Sequence, residues 1–359
     1  MHTIKVGIIG CGGIAMNKHL PALKKLDGIN IVAFCDLDLE KAISAKIKFG
    51  HETSTVFTDY KKLLNLAELD AVHVLTPNSS HAQITVDALN SGAHVMCEKP
   101  MAKTAKEART MLEAAKKTGK LLTIGYQNRF RPDSQFLYSA CRRGDLGDIY
   151  FSKAHAIRRR AVPTWGVFLN SQAQGGGPLI DIGTHALDLT LWMMDNYELK
   201  SVQGTVYRKL ADQVNTANAW GDWDPDEFTV EDSAFAFITM KNGATIFLES
   251  SWALNTLDIG EAKTTLCGTK AGADMREDLR INSVDFGKMT TLKPSLGSDG
   301  VDFYEGDTQN PEDLEAQDFY NAIRKGTPLT VTPEQALVVT EILEAVYLSA
   351  EIGQTIYFD

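Results

Sequence analysis

Lys5-Val6-Gly7-Ile8-Ile9-Gly10-Cys11-Gly12-Gly13-Ile14-Ala15 reads as a buried strand that turns through glycines into a helix. Gly10 permits the tight turn, Gly12 lets backbone approach a pyrophosphate, and Ala15 is small enough to replace the last glycine where helix packs on strand. The helix N-terminus then offers free N–H donors and a positive dipole end to phosphates. Gly10, Gly12, Gly13 and Ile14 are therefore the expected nucleotide-binding residues of the turn. Glycine-rich strand ends also arise for steric reasons alone, so the following residues matter. Ile29-Asn30-Ile31-Val32-Ala33-Phe34-Cys35 is a second apolar strand, and it ends in Asp36, where a carboxylate is expected to hold the adenosine ribose hydroxyls. Asp38 follows and no arginine stands beside it, so a 2′-phosphate would be repelled and NAD is preferred over NADP. Lys41, one helical turn on, is expected to face solvent or pair with Asp38.

A chain of 359 residues suits two domains, each with its own core. Hydrophobic residues at 44% and charged residues at 23% are ordinary for a globular enzyme, and a net charge of −10 argues against nucleic-acid or anionic-membrane surfaces. Cys11, Cys35, Cys97, Cys141 and Cys267 contain no C-x-x-C pair, and the first three are expected in the core. The chain opens almost directly on a core strand and holds no apolar run near ~18 residues. Neither a signal peptide nor a membrane span is expected, and the expected compartment is the cytoplasm.

Over residues 1–124, apolar strands near Ile4–Ile9, Ile29–Cys35, Ala71–Leu75, His94–Cys97 and Leu121–Ile124 alternate with helical segments near Gly13–Leu26, Leu39–Phe49, Ser80–Ser91 and Thr104–Thr118. The alternation predicts an α/β, doubly wound parallel sheet covered on both faces, with its ligand at the carboxyl ends of the strands. Residues 125–359 change rhythm. Helices are expected near Pro132–Arg143, Gly183–Asp195, Glu312–Lys325 and Pro333–Glu351, with strands near Ile149–Ile157, Ser233–Met240, Thr245–Trp252 and Ile259–Cys267. The turn signal Lys241-Asn242-Gly243 between two strands predicts an antiparallel or mixed sheet, hence an α+β second domain. Ala211–Phe228 and Asp285–Gly300 are the least regular stretches.

The loop after the fifth strand reads Cys97-Glu98-Lys99-Pro100, which puts Lys99 where a nicotinamide ring is expected. Its ammonium would polarise a substrate oxygen or relay a proton, unless it is simply a solvated lysine after a strand. Gly175-Gly176-Gly177-Pro178-Leu179-Ile180-Asp181-Ile182-Gly183-Thr184-His185-Ala186-Leu187-Asp188 spaces Asp181, His185 and Asp188 along one helix face. A histidine flanked by carboxylates is a candidate general base; the alternative is a helix-capping Asp181, a packed His185 and a structural Asp188.

Together the glycine turn, Glu98-Lys99-Pro100 and the Gly-Gly-Gly…Asp-x-Gly-x-His-x-x-Asp stretch resemble the glucose–fructose oxidoreductase, inositol dehydrogenase and rhizopine-catabolism (Gfo/Idh/MocA) family, over essentially the whole chain. The resemblance implies a Rossmann domain followed by a large open, mixed and mostly antiparallel sheet used for homodimer or homotetramer contacts. It also implies hydride transfer between a nicotinamide and a hydroxyl-bearing carbon of a sugar, polyol or sugar derivative. By position, Lys99, Asp181 and His185 match the catalytic lysine, aspartate and histidine. Thr76, Pro77, Asn78 and His81 match the loop along the cofactor, Glu98 the glutamate beside its ribose and nicotinamide, and Asn128 and Arg129 the border of the substrate pocket, to which Asp181 and His185 also belong.

Arg158-Arg159-Arg160 with Trp165 is the most individual feature. If the run continues a strand, Arg158 and Arg160 share a face and would grip a carboxylate, phosphate or sugar hydroxyls while Trp165 stacks on a sugar; otherwise the run is a charged strand end paired with acids at an oligomer contact. The acidic cluster Asp222–Glu227 fails the calcium-loop spacing, and no metal is expected. An NAD-using glycosidase acting by transient oxidation, and a non-catalytic NAD/sugar sensor, stand as the alternative functions.

Overall fold

The computed structural model describes residues 3–66, 69–213, 217–296 and 310–359. Contacts divide the chain into two units, Met1–Gln127 with Gln309–Leu337, and Asn128–Thr308 with Val338–Asp359. The expected division assigned all of 125–359 to the second domain, whereas Gln309–Leu337 joins the first. The reason is buried charge and apolar area: Glu315 pairs with Lys18 at 2.9 Å, and Phe319 and Tyr320 sit in the same core as Ile8 and Phe34.

The first unit is a six-stranded sheet: β1 (Ile4–Ile9), β2 (Ile29–Cys35), β3 (Thr55–Phe57), β4 (Ala71–Val74), β5 (His94–Cys97) and β6 (Leu122–Ile124). All pairings are parallel and the order is β3-β2-β1-β4-β5-β6. The strand order reverses at β1, and at such a switch point the carboxyl ends of neighbouring strands open a crevice. Every candidate of this unit follows a carboxyl end: the glycine turn after β1, Asp36 after β2, Thr76 after β4, Glu98 and Lys99 after β5. Local chemistry sets the helices. Asp38 caps Leu39–Phe49 by accepting from Glu40 N, and Thr104 caps Ala105–Thr118 by accepting from Glu107 N, with Gly119 at φ 65° ending it. β3 and the short helix Tyr60–Leu64 were not expected. The helix expected over Gly13–Leu26 opens as a wide, π-type turn at Ala15–His19 before Leu20–Lys24.

The second unit carries β7 (Ile149–Ile157), β8 (Leu199–Tyr207), β9 (Ser233–Met240), β10 (Thr245–Ser251), β11 (Gly260–Gly268), β12 (Gly272–Asp274), β13 (Arg280–Asp285), β14 (Lys288–Leu292) and β15 (Ile356–Tyr357). Their order is β14-β13-β12-β11-β7-β10-β9-β8-β15, antiparallel throughout except β7 with β10. The sheet is thus mixed and mostly antiparallel, as expected. Asn242-Gly243 makes the β9–β10 hairpin, with Gly243 at φ 88°. Leu137 and Ala140 of helix Pro132–Arg143 and Leu189, Trp192 and Met193 of helix Thr184–Met194 share a core with Leu266 and Met275 on one face. The other face is open: Phe237 and Phe247, 43% and 41% exposed, meet edge to face at 5.1 Å.

Asp285–Gly300, expected to be irregular, holds the β13–β14 hairpin turned by Phe286 and Gly287 at positive φ, while 297–300 lies outside the described residues. Of Ala211–Phe228, residues 214–216 lie outside them too. No helix among the described residues is long and apolar enough to cross a membrane.

Candidate active site

Gly10 is at φ +94°, and a Cβ there would lie 2.4 Å from Leu75 O, so only glycine fits. A Cβ on Gly12 would meet nothing within 4 Å, and Gly13 and Ile14 are exposed. The turn therefore has open space where the backbone must approach a pyrophosphate, which suits a dinucleotide. Asp36, half-buried at the end of β2, accepts Cys11 N on Oδ2 at 2.8 Å and Asp38 N on Oδ1 at 3.0 Å. Each oxygen keeps acceptor capacity for a ribose hydroxyl. Lys41 lies 3.6 Å from Asp38, as expected.

Thr76 and Pro77 lead into helix Asn78–Asn90, where Ser80 Oγ donates to Thr76 Oγ1 at 2.7 Å. His81 is buried with one ring nitrogen 2.8 Å from Thr76 O and the other 2.8 Å from Pro100 O, tying the loop after β4 to the loop after β5. Burial disfavours its imidazolium while the two carbonyls favour it.

Glu98 is buried at 5% exposure, yet three donors meet it: Lys18 Nζ at 2.7 Å and His19 Nε2 at 2.8 Å on Oε1, and Lys99 N at 3.0 Å on Oε2. Burial alone would raise its pKa, but Lys18 and His19 outweigh burial and hold the carboxyl well below the usual range. Gly125 closes the fourth side, since a Cβ there would sit 3.0–3.2 Å from the carboxyl atoms. The Lys99 backbone is thereby anchored to a fixed anion.

In the second unit, a second wide turn at Leu179–Gly183 carries Asp181 and leads directly into helix Thr184–Met194, which carries His185. From Leu179 to Met193 every residue is buried except Asp181 and His185. Asp181 Oδ2 accepts from Trp252 Nε1 at 3.0 Å, and Arg158 Nη1 lies 3.8 Å away. The turn is held from beneath. Glu231, 8% exposed, accepts Gly177 N at 2.8 Å, Leu179 N at 3.2 Å and the Tyr347 hydroxyl at 2.8 Å. A Cβ on Gly177 would fall 2.2 Å from Glu231 O, which explains the small residue. Ser250 Oγ donates to Pro178 O at 2.8 Å from β10.

Other candidates take different partners. Arg129 is fully buried, with Nε 2.9 Å and Nη2 2.5 Å from the two oxygens of Asp188. That pair gives Arg129 a structural part, and separates the buried Asp188 from the half-buried Asp181 and His185. Asn128 is half-buried in the short turn Gln127–Phe130. β7 ends at Ile157, so the strand alternation expected for the arginines does not apply. Arg158 grips Glu261 through two bonds at 2.6 and 2.8 Å and lies over Trp220 at 5.1 Å. Arg160 Nη2 donates to Asn255 at 3.0 Å, while its Nη1 is buried without a hydrogen-bond partner among the described residues. Trp165, 51% exposed, meets Trp220 edge to face at 4.9 Å.

Two family profiles match the chain: one described as an oxidoreductase family with NAD-binding Rossmann fold over residues 4–126, the other as the GFO/IDH/MocA C-terminal domain over residues 135–274. The chain belongs to the Gfo/Idh/MocA oxidoreductase family. Among its relatives, the D-glucoside 3-dehydrogenase of Escherichia coli (strain K12) is 36% identical over 98% of this chain and 96% of its own length. Inositol 2-dehydrogenase of Salmonella typhimurium (strain LT2) is 25% identical over 91% and 88%. A levoglucosan dehydrogenase solved with NADH and levoglucosan shares the fold, with a TM-score of 0.83, 20% identity and 99% of each chain covered. This member of the Gfo/Idh/MocA family is an NAD-binding oxidoreductase.

Reading the sequence did not find Trp252, Glu231, Tyr347 or the Lys18-His19 pair. The first three lie far along the chain from what they hold. Lys18 and His19 did leave a signal, because two polar residues fall on the buried side of the helix that also presents Ala15, Ala22 and Leu23 to the core.

Proposed function

We propose that the chain is an NAD-dependent dehydrogenase acting on a hydroxyl-bearing carbon of a sugar, glucoside or polyol, with Lys99, Asp181 and His185 as catalytic residues. The observation that carries this reading is that Asp181 and His185 alone are only half-buried in an otherwise buried stretch. Burying thirteen of fifteen residues while leaving a carboxylate and an imidazole partly accessible is what a proton-transfer site requires.

His185 takes the proton of the substrate hydroxyl. Asp181, oriented by Trp252, stabilises the resulting positive charge. Lys99 stabilises the developing oxyanion or relays the proton. NAD, when bound, accepts the hydride. Gly10, Gly12, Gly13 and Ile14 hold its pyrophosphate, and Asp36 its ribose. Thr76, Pro77, Asn78, His81 and Glu98 line the rest of the nucleotide site. The Asp36 carboxylate, with Lys41 drawn to Asp38, favours NAD over NADP. The relative at 36% identity makes D-glucosides the first substrates to try; the exposed Trp165–Trp220 pair near Arg160 supplies surfaces for a sugar, and Asn128 is taken as a further polar contact. Free thiols at all five cysteines suit a reducing cytoplasm, the net charge of −10 stands against nucleic acid as a partner, and the open face bearing Phe237 and Phe247 suits a homodimer or homotetramer.

The test is nicotinamide reduction against glucosides, free sugars, sugar acids and inositols, with NAD and NADP in parallel. Lys99→Ala and His185→Ala should each cost about 10²–10⁴ in kcat while leaving Kd for NAD within about twofold. Equal losses in turnover and NAD affinity would refute the catalytic assignment.

A further inference from the structure

Glu98 is one end of a buried series that the dehydrogenase reading does not use. His19 Nε2 lies 2.8 Å from Glu98 Oε1, His19 Nδ1 lies 3.2 Å from His73 Nδ1, and His73 Nε2 lies 2.9 Å from the Tyr320 hydroxyl. Tyr320 is on helix Pro311–Lys325, and His19, His73 and Tyr320 are at most 3% exposed.

The proton positions follow from donor and acceptor rules. Glu98 is ionised beside Lys18 and only accepts, so His19 presents Nε2–H to it. Burial and the neighbouring Lys18 ammonium keep His19 neutral, so its Nδ1 is a bare acceptor. His73 Nδ1 must then be the donor across the 3.2 Å contact. Burial keeps His73 neutral too, so its Nε2 accepts and the Tyr320 hydroxyl donates. Every bond points the same way: Tyr320 to His73, His73 to His19, His19 to Glu98.

We infer that Tyr320, His73 and His19 are positioning residues that act in series to fix the Glu98 carboxylate, and through it the nucleotide site and the Lys99 backbone. This deepens the proposed function and rests on it for the role of Glu98. Oε1 is saturated by His19 and Lys18, and Oε2 takes Lys99 N, so the carboxylate has one orientation. Neither imidazole can exchange tautomer alone, because either flip would set two lone pairs or two N–H groups face to face. The same helix also supplies Glu315 to Lys18 at 2.9 Å, so both donors to Oε1 are held from it.

Two measurements test the chain on the full-length protein. Imidazole ¹⁵N spectra at pH 7 should show His19 protonated at Nε2 only and His73 at Nδ1 only; the opposite tautomer or an imidazolium at either ring would overturn the inference. Tyr320→Phe should raise Kd for NAD about three- to tenfold, measured by direct binding without substrate. In a double-mutant cycle with Glu98→Gln the two effects should be strongly non-additive, whereas additivity would mean that Tyr320 acts only through general stability. If Tyr320→Phe does not fold, His73→Phe, which removes both the donor to His19 and the acceptor for Tyr320, takes its place in the cycle. Assigned tautomers and coupled NAD binding without turnover on any sugar would refute the proposed substrate chemistry and leave the chain standing.

Discussion

Two glycines two residues apart in the same turn answer to different masters. Gly10 is demanded by the fold, through its positive φ and the carbonyl 2.4 Å from any Cβ, while Gly12 has nothing near it within the chain. Gly10→Ala should therefore destabilise by more than about 2 kcal/mol. Gly12→Ala should keep Tm within about 2 °C of wild type yet weaken NAD at least about tenfold, because a methyl would occupy the space left for the pyrophosphate. Calorimetry beside NAD titration checks both, and an unchanged NAD affinity in Gly12→Ala would refute that placement. The motif was legible from sequence because spacing alone carries it. The different duties of Gly10 and Gly12 also follow from their places in the motif; the contact that enforces the first was not legible, since the Leu75 carbonyl that constrains Gly10 belongs to a loop some 65 residues on.

At the scale of elements, the strands and helices with strong local periodicity were legible: β1, β2, β7, β9 and the helix Pro132–Arg143 lie where the pattern puts them. β8 was not, because its alternation is diluted by Lys200, Ser201, Gln203 and Gly204, and Gly204 is glycine so that Val346 can pack directly on it. Helix Pro311–Lys325 was recognised, but not its allegiance, since nothing local in Glu315 announces Lys18 as its partner. That partnership has a pH signature. Burial, reinforced by Glu98 and opposed by Lys18, pushes the Glu315 carboxyl up from 4.5 to about 7. A pKa raised in the folded state means that folding takes up a proton; the stabilisation is complete below about pH 4.5 and is lost as pH rises through about 7. Glu315→Gln retains an oxygen for Lys18 and has no proton to lose, so it should flatten this part of the Tm–pH profile. A Gln variant with the wild-type slope would assign the titration elsewhere.

For the whole molecule, chain length indicated two units, and the order of strands and helices a parallel sheet followed by a mixed one. Contacts between distant segments decided what these could not, namely that Gln309–Leu337 returns to the first unit. The proposed catalytic residues Lys99, Asp181 and His185 stand in contiguous motifs that the sequence itself displays. The supports of Asp181 and its turn, Trp252 and Glu231, are 71 and 54 residues from the atoms they hold and have no local signature. The open sheet face makes a prediction at this scale. Phe237→Asp with Phe247→Asp should convert a homo-oligomer to monomer in sedimentation equilibrium, with far-UV circular dichroism unchanged, because charges on paired, half-exposed rings oppose burial against a second copy. An unaltered assembly mass would place the contact on another surface.

Asp36 holds the fold at the same atoms with which it is proposed to choose the cofactor. Its two oxygens take the amides of Cys11 and Asp38, so they brace the phosphate turn against the end of β2. An engineer wishing to retune this protein toward a phosphorylated nucleotide would find that deleting the carboxylate also unfastens the turn that grips every dinucleotide. The route open to such a redesign, and to natural drift, is a replacement that still accepts from both amides, with the new positive charge introduced from a neighbouring position instead.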